Sequence, residues 1–167
     1  GIKVFMGAST GNMLVDNPEV LDGIFKYAPT PIITHCEDTP MIDAELARYK
    51  AKYGDDIPAE FHADIRSREA CKKSTMLAME LARRNNSRLH VLHISTADEL
   101  ALFERGPLIR GDGSRKRITA ETCIHFLRFD RADYAKLGNF IKCNPSIKEA
   151  SDREALIAAL ADDVVDV

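Results

Sequence analysis

What most restricts the fold of this chain is a repeated unit, a short apolar strand that turns at once into a capped helix. Arg88-Leu89-His90-Val91-Leu92-His93-Ile94-Ser95-Thr96 is its clearest copy. Leu89, Val91, Leu92 and Ile94 read as a strand that ends in His93, and Thr96 with Glu99 three residues on opens a helix as a capping box. Pro31-Ile32-Ile33-Thr34-His35 has the same layout, and Gly1-Ile2-Lys3-Val4-Phe5 sets a lysine among apolar neighbours.

Further strands are expected at Ile118–Glu121 and from Val164-Val165, beside the three over Ile2–Met6, Ile32–His35 and Leu89–His93. Between them lie helix signals. Asn17 caps a helix with Pro18 at its first position, and Thr39 with Pro40 opens a second that stops at Gly54. Ser67 caps a long amphipathic helix with Ala70, Met76, Leu77, Ala78 and Leu81 inward. Ala97–Glu104, a short stretch near Arg131–Leu137, and a Ser151/Glu154 capping box running to Leu160 complete the set. Asp55–Arg66 reads as a loop or short insert, and Gly7–Asn12 as a Gly-rich turn able to pass close to a ligand or simply to connect. Strands alternating with helices in units of about thirty residues or more imply a parallel sheet with right-handed crossovers.

An open doubly wound sheet and half of a (β/α)8 TIM barrel both satisfy this order. No GxGxxG or P-loop follows any strand, so the nucleotide-binding version lacks its fingerprint. Polar residues at successive strand ends, where barrels carry their functional groups, favour the partial barrel. The chain opens on a strand-like glycine and closes on Val164-Val165-Asp166-Val167. Residues 1–167 are therefore expected to be a single partial barrel domain, a fragment of something longer.

The 167 residues are 45% hydrophobic with net charge −3, the balance of one globular unit, with no charge excess to support nucleic-acid or anionic-membrane binding. No apolar run approaches the ~20 residues needed to span a bilayer. Cys36, Cys71, Cys123 and Cys143 form no CxxC pair and read as free thiols, small buried apolar residues of a reducing, cytoplasmic setting.

His35 or His93 alone reads as a satisfied core or loop histidine; equivalent positions on neighbouring strands together point to metal ligation, and neutral imidazole suits zinc. A lysine inside a parallel sheet needs a reason, since burying an unpaired ammonium costs several kcal/mol. Lys3 is either an exposed edge residue, one half of an internal ion pair, or an amine of depressed pKa. In the last case carbon dioxide could convert it to a carbamate that bridges two metals. His90 reads as packing against a helix, His62 as a loop residue, and Glu121 as substrate-facing, supporting a ligand, or ion-paired.

Taken in order, Gly1-Ile2-Lys3-Val4-Phe5, Thr34-His35-Cys36-Glu37, His90-Val91-Leu92-His93-Ile94-Ser95, Ala120-Glu121-Thr122 with His125 and Leu127, and Lys142-Cys143-Asn144-Pro145 resemble the dihydroorotases, cyclic amidohydrolases of the amidohydrolase superfamily. The resemblance covers essentially the whole chain. It implies a metal-dependent (β/α)8 hydrolase, often with two zinc ions, that interconverts N-carbamoyl-L-aspartate and L-dihydroorotate in pyrimidine synthesis. Under it Lys3 matches the carboxylated bridging lysine, His35 and His93 match metal ligands on the next two strands, and Asn144 falls where the family contacts substrate. It also implies a small-molecule substrate and a catalytic aspartate beyond Val167. Half a barrel, with raw parallel edges, is further expected to associate with a second copy.

Three departures stand beside it. The His-x-His pair of the family's first strand is not in this chain, nor is the eighth-strand aspartate. His125-Phe126 stands where many members have two histidines, with Ile124 for a common proline. The fragment alone is therefore expected to be inactive. Hydantoinases, dihydropyrimidinases and allantoinases are the nearest rivals, and they tend to carry serine in place of Asn144 and tyrosine in place of Phe126. A non-catalytic scaffold is the rival of another class; it has no need for Lys3, His35 and His93 together.

Overall fold

The computed structural model describes residues 1–7 and 12–167, so the Gly-rich turn lies, but for Gly7 and Asn12, outside the described residues. Four parallel strands form one sheet in chain order: β1 (Ile2–Phe5), β2 (Ile32–His35), β3 (Leu89–Val91) and β4 (Ile118–Ala120). Each crossover carries helix: α1 (Pro18–Tyr27) after β1, then α2 (Thr39–Tyr53), α3 (His62–Ile65) and α4 (Arg68–Arg84) after β2, and α5 (Ala97–Leu100) after β3. Past β4 come α6 (Ile124–Arg128), α7 (Tyr134–Leu137) and α8 (Ala150–Ala161).

The register explains the split between core and site. Val4, Thr34, Val91 and Ala120 stand abreast, all buried toward the helices with Ile32 and Leu89. Lys3, Ile33, His90 and Thr119 form the alternate row, on the face a barrel would enclose. That face is open here, and Lys3, on edge strand β1, is exposed rather than buried.

Several local expectations shift. The strand carrying His93 ends at Val91, because His93 adopts a left-handed φ of 42° that stops the ladder. Asp38, not Thr39, caps α2, its carboxylate accepting from Met41 N at 3.1 Å. Glu149 and Asp152, rather than Ser151 and Glu154, form the capping box of α8. In α4 the inward face joins the small residues Ala70, Cys71, Ser74, Thr75, Ala78 and Ala82 to Met79 and Leu81, while Met76 and Leu77 point out. The insert after α2 holds a 3-10 turn and α3, and α6 has no counterpart in the sequence reading.

Val164-Val165 do not form a strand. The segment nevertheless lies along β4, with Asp166 N donating to Ala120 O at 2.8 Å and Thr122 N to Val167 O at 3.0 Å. It is pinned there by Asp166, whose carboxylate accepts from Ala120 N and from the buried Lys116 ammonium. Residues 106–117 are hairpin-like, with an Ile109–Arg115 antiparallel bridge. All four cysteines are free; Cys36 and Cys71 are buried and the other two half-buried.

Candidate metal centre

β2 delivers His35 on its last residue, at the C-terminal edge of the sheet. The left-handed turn at His93 brings the second imidazole onto it: His35 Nδ1 lies 3.0 Å from His93 Nε2, with the rings edge-on at 70°. The other nitrogen of His35 is 2.8 Å from Glu37 Oε2. An ionised carboxylate only accepts, so Nε2 of His35 carries the proton and Nδ1 keeps its lone pair.

Glu37 is wholly buried and also receives a bidentate Arg66 fork, at 3.0 Å from Nε and 2.6 Å from the terminal nitrogen. Burial pushes the Glu37 carboxyl up, but the hydrogen bonds from His35 and Arg66 outweigh it and hold it below the usual range. The backbone of Glu37 is gripped from the far side by Gly7: a Cβ there would stand 1.8 Å from Glu37 O, so only glycine fits.

His93 is pushed down to about 4, by burial first and then by the neighbouring charges of His35 and Lys3, so it is neutral at pH 7. Its Nδ1 is buried without a hydrogen-bond partner among the described residues. Two imidazoles, one oriented by a carboxylate, thus bring two nitrogens together at one spot. Adjacent ligand atoms on a tetrahedral zinc with bonds of 2.0–2.1 Å are about 3.3 Å apart, close to the observed 3.0 Å. The donor set fits a metal. Lys3 has its ammonium 4.7 Å from the centre of the Phe5 ring, with no ion pair among the described residues. No three His, Cys, Asp or Glu side chains gather into a metal cluster among the described residues.

Other candidates fall on either side of this pair. His90 faces the open interior, not a helix, and bonds Thr119 Oγ1 at 2.8 Å and Glu121 Oε2 at 3.1 Å. That gives Glu121 a hydrogen-bonding partner. Asn144 is exposed, on a cis peptide to Pro145. Phe126 is buried in the core beside a half-buried His125, while Ile124 is exposed.

Sequence reading missed the supports. His62 sits in α3, and its Nε2 donates to Cys143 O at 2.9 Å. Ser146 Oγ donates to Arg66 O at 3.0 Å. An acid two residues past a strand-end histidine was a visible signal for Glu37; nothing local marks Arg66.

No family model matches the chain. Among curated proteins it is 33% identical over 136 residues to an allantoinase of Streptomyces avermitilis, covering 81% of this chain and 28% of that protein. It is 29% identical to an allantoinase of Bacillus velezensis over its whole length, and 27% to a dihydroorotase of Methanosarcina mazei over 99%, each match covering 36% of the relative. Among solved structures, an L-hydantoinase (dihydropyrimidinase) from Arthrobacter aurescens superposes on 99% of this chain with a TM-score of 0.82 at 23% identity, over 36% of that chain. A D-hydantoinase gives 0.79 at 24% over 98% of this chain and 35% of that one. The chain thus spans about a third of the length of the proteins it matches, and its fold is part of a (β/α)8 barrel.

Proposed function

We propose that this chain, homologous along its length to cyclic amidohydrolases, is the segment of a metal-dependent cyclic-amide hydrolase that supplies half of its metal site. The observation that carries the reading is the convergence of His35 Nδ1 and His93 Nε2, 3.0 Å apart, with the far nitrogen of His35 held by Glu37. His93 is held neutral, and each imidazole presents a ring nitrogen at this spot. Lys3, on the same face of the sheet, is the candidate carbamate ligand. Bound zinc, two ions per complete site, would activate a water and polarise the ring amide carbonyl. Asn144 presents an exposed amide able to hydrogen-bond the substrate.

The finer reading is dihydroorotase, acting on L-dihydroorotate and N-carbamoyl-L-aspartate. Asn144 before Pro145, and Phe126 after His125, support it. Allantoinase is the second reading, favoured by the 33% identity to the Streptomyces avermitilis protein. The proposal includes a proton-shuttling aspartate outside this chain, inactivity of the segment alone, self-association, and a cytoplasmic setting that suits four free thiols. Among the described residues no helix is long and apolar enough to cross a membrane.

The test is zinc content and turnover of the full-length protein and its Lys3→Ala variant, with L-dihydroorotate, allantoin and hydantoin as substrates. About two zinc ions, falling sharply in the variant, together with hydrolysis of one of the three, is the expected result. Unchanged zinc in the variant would remove Lys3 from the site. No zinc in either protein would favour the scaffold.

A further inference from the structure

The insert between α2 and α4 touches both halves of the proposed site. From its one short helix, Arg66 reaches one way to Glu37 and thereby to His35. The same residue's carbonyl accepts from Ser146 Oγ, and His62, one helical turn earlier, donates to the Cys143 carbonyl. Cys143 and Ser146 bracket the Asn144-Pro145 peptide. The loop is tied down again from below, where the buried Lys148 ammonium donates to Ser146 O at 3.1 Å and Ser146 Oγ at 2.9 Å.

Each contact is built to hold position. Glu37 has no solvent to turn toward, and its two oxygens are taken by a planar fork that fixes direction as well as distance. Ser146 is fully buried, so a slack hydrogen bond there would leave a polar group unpaired. Ala63 and Ile65, on the other face of α3, are buried, and Ile65 packs with Ile42, Tyr49 and Ala70, which seats the segment on α2 and α4.

We propose that His62–Arg66 is a positioning bridge, holding His35 through Glu37 at one end and the Asn144 loop through Cys143 and Ser146 at the other. Metal-binding imidazole and substrate-contacting loop are then set by one rigid segment. This rests on the hydrolase reading above. Neither His62 nor Arg66 touches metal or substrate; both act through other residues.

The test uses the full-length protein, with zinc affinity measured by chelator competition and KM and kcat measured at saturating zinc. Arg66→Ala is expected to weaken zinc binding about 10- to 100-fold, because it takes the guanidinium from Glu37 while leaving the Arg66 carbonyl that accepts from Ser146 Oγ. Arg66→Lys should recover part of that loss. His62→Ala is expected to raise KM with zinc affinity and kcat unchanged. An Arg66→Ala protein that folds and keeps its zinc affinity would overturn the bridge, as would a His62→Ala protein with unaltered KM. If Arg66→Ala does not fold, Arg66→Lys carries the same decision. A wild-type protein that binds no zinc would instead overturn the hydrolase reading itself.

Discussion

Glu37 Oε2 lies 2.8 Å from His35 Nε2 and 2.6 Å from Arg66, so one buried carboxylate oxygen serves an imidazole and a guanidinium together. That arrangement removes any choice of tautomer from His35 and directs its Nδ1 lone pair at His93. Replacing Glu37 with glutamine keeps the shape and removes the charge. Zinc affinity of the full-length protein is expected to drop about 10- to 100-fold, while His93→Ala should abolish retained zinc. Elemental analysis after dialysis against a weak chelator reads both, and equal zinc in wild type and Glu37→Gln would refute the orienting role.

Gly7 permits an approach no other residue can make, since a Cβ would stand 1.8 Å from the Glu37 carbonyl oxygen. The obstacle is backbone, which cannot rotate aside as a side chain would. Gly7→Ala should therefore cost about 1–3 kcal/mol, read as a lower urea midpoint. An unchanged midpoint would show that the β1 end and the Glu37 backbone are farther apart than described.

The order of strands and helices, and the placing of His35 at a strand end, were legible because burial in a parallel sheet writes itself as apolar runs and helix starts write themselves as caps. What escaped depends on tertiary contact. The left-handed turn at His93 carries no glycine to announce it. Asp38 and Thr39 are both good caps, and only the path of the chain selects Asp38. The exposure of Lys3 follows from its strand being at the edge of this sheet, and the Arg66–Glu37 fork spans a loop with no local pattern. On α4, Met76 and Leu77 face outward while the chemically equivalent Met79 and Leu81 face the core, so residue type alone did not reveal its orientation.

Glu99 should make stability fall as pH rises. Burial pushes its carboxyl up, against the hydrogen bonds from Thr96 and Thr75 that favour the charged form. A group with a raised folded pKa contributes stability that is fully present below its unfolded value, about 4.3, and is lost as pH climbs through the folded value. Glu99→Gln keeps an acceptor for one threonine and cannot ionise. The variant should gain on wild type in urea midpoint as pH rises above about 4.3; parallel pH profiles would show that Glu99 does not titrate with a raised pKa.

The last link in the sheet is electrostatic. Lys116 and Asp166 are paired at 3.0 Å with side chains only 2% and 4% exposed, and the ammonium also donates to Asp163 O at 2.6 Å. The second carboxylate oxygen accepts from Ala120 N at 2.9 Å, taking a backbone donor of β4 that lacks a strand partner. Asp166→Ala strips three things at once: the counter-charge, the acceptor for Ala120, and the anchor that keeps 164–167 beside β4. It should cost about 3–5 kcal/mol, because an ammonium is left buried and unpaired. Lys116→Met alone strands the carboxylate with one backbone donor and should cost less. The double variant Lys116→Met/Asp166→Ala removes both charges and should fall well short of the sum of the singles. Urea unfolding of the four proteins gives the coupling directly, and additive losses would mean that the two side chains are held apart by solvent rather than paired in the core.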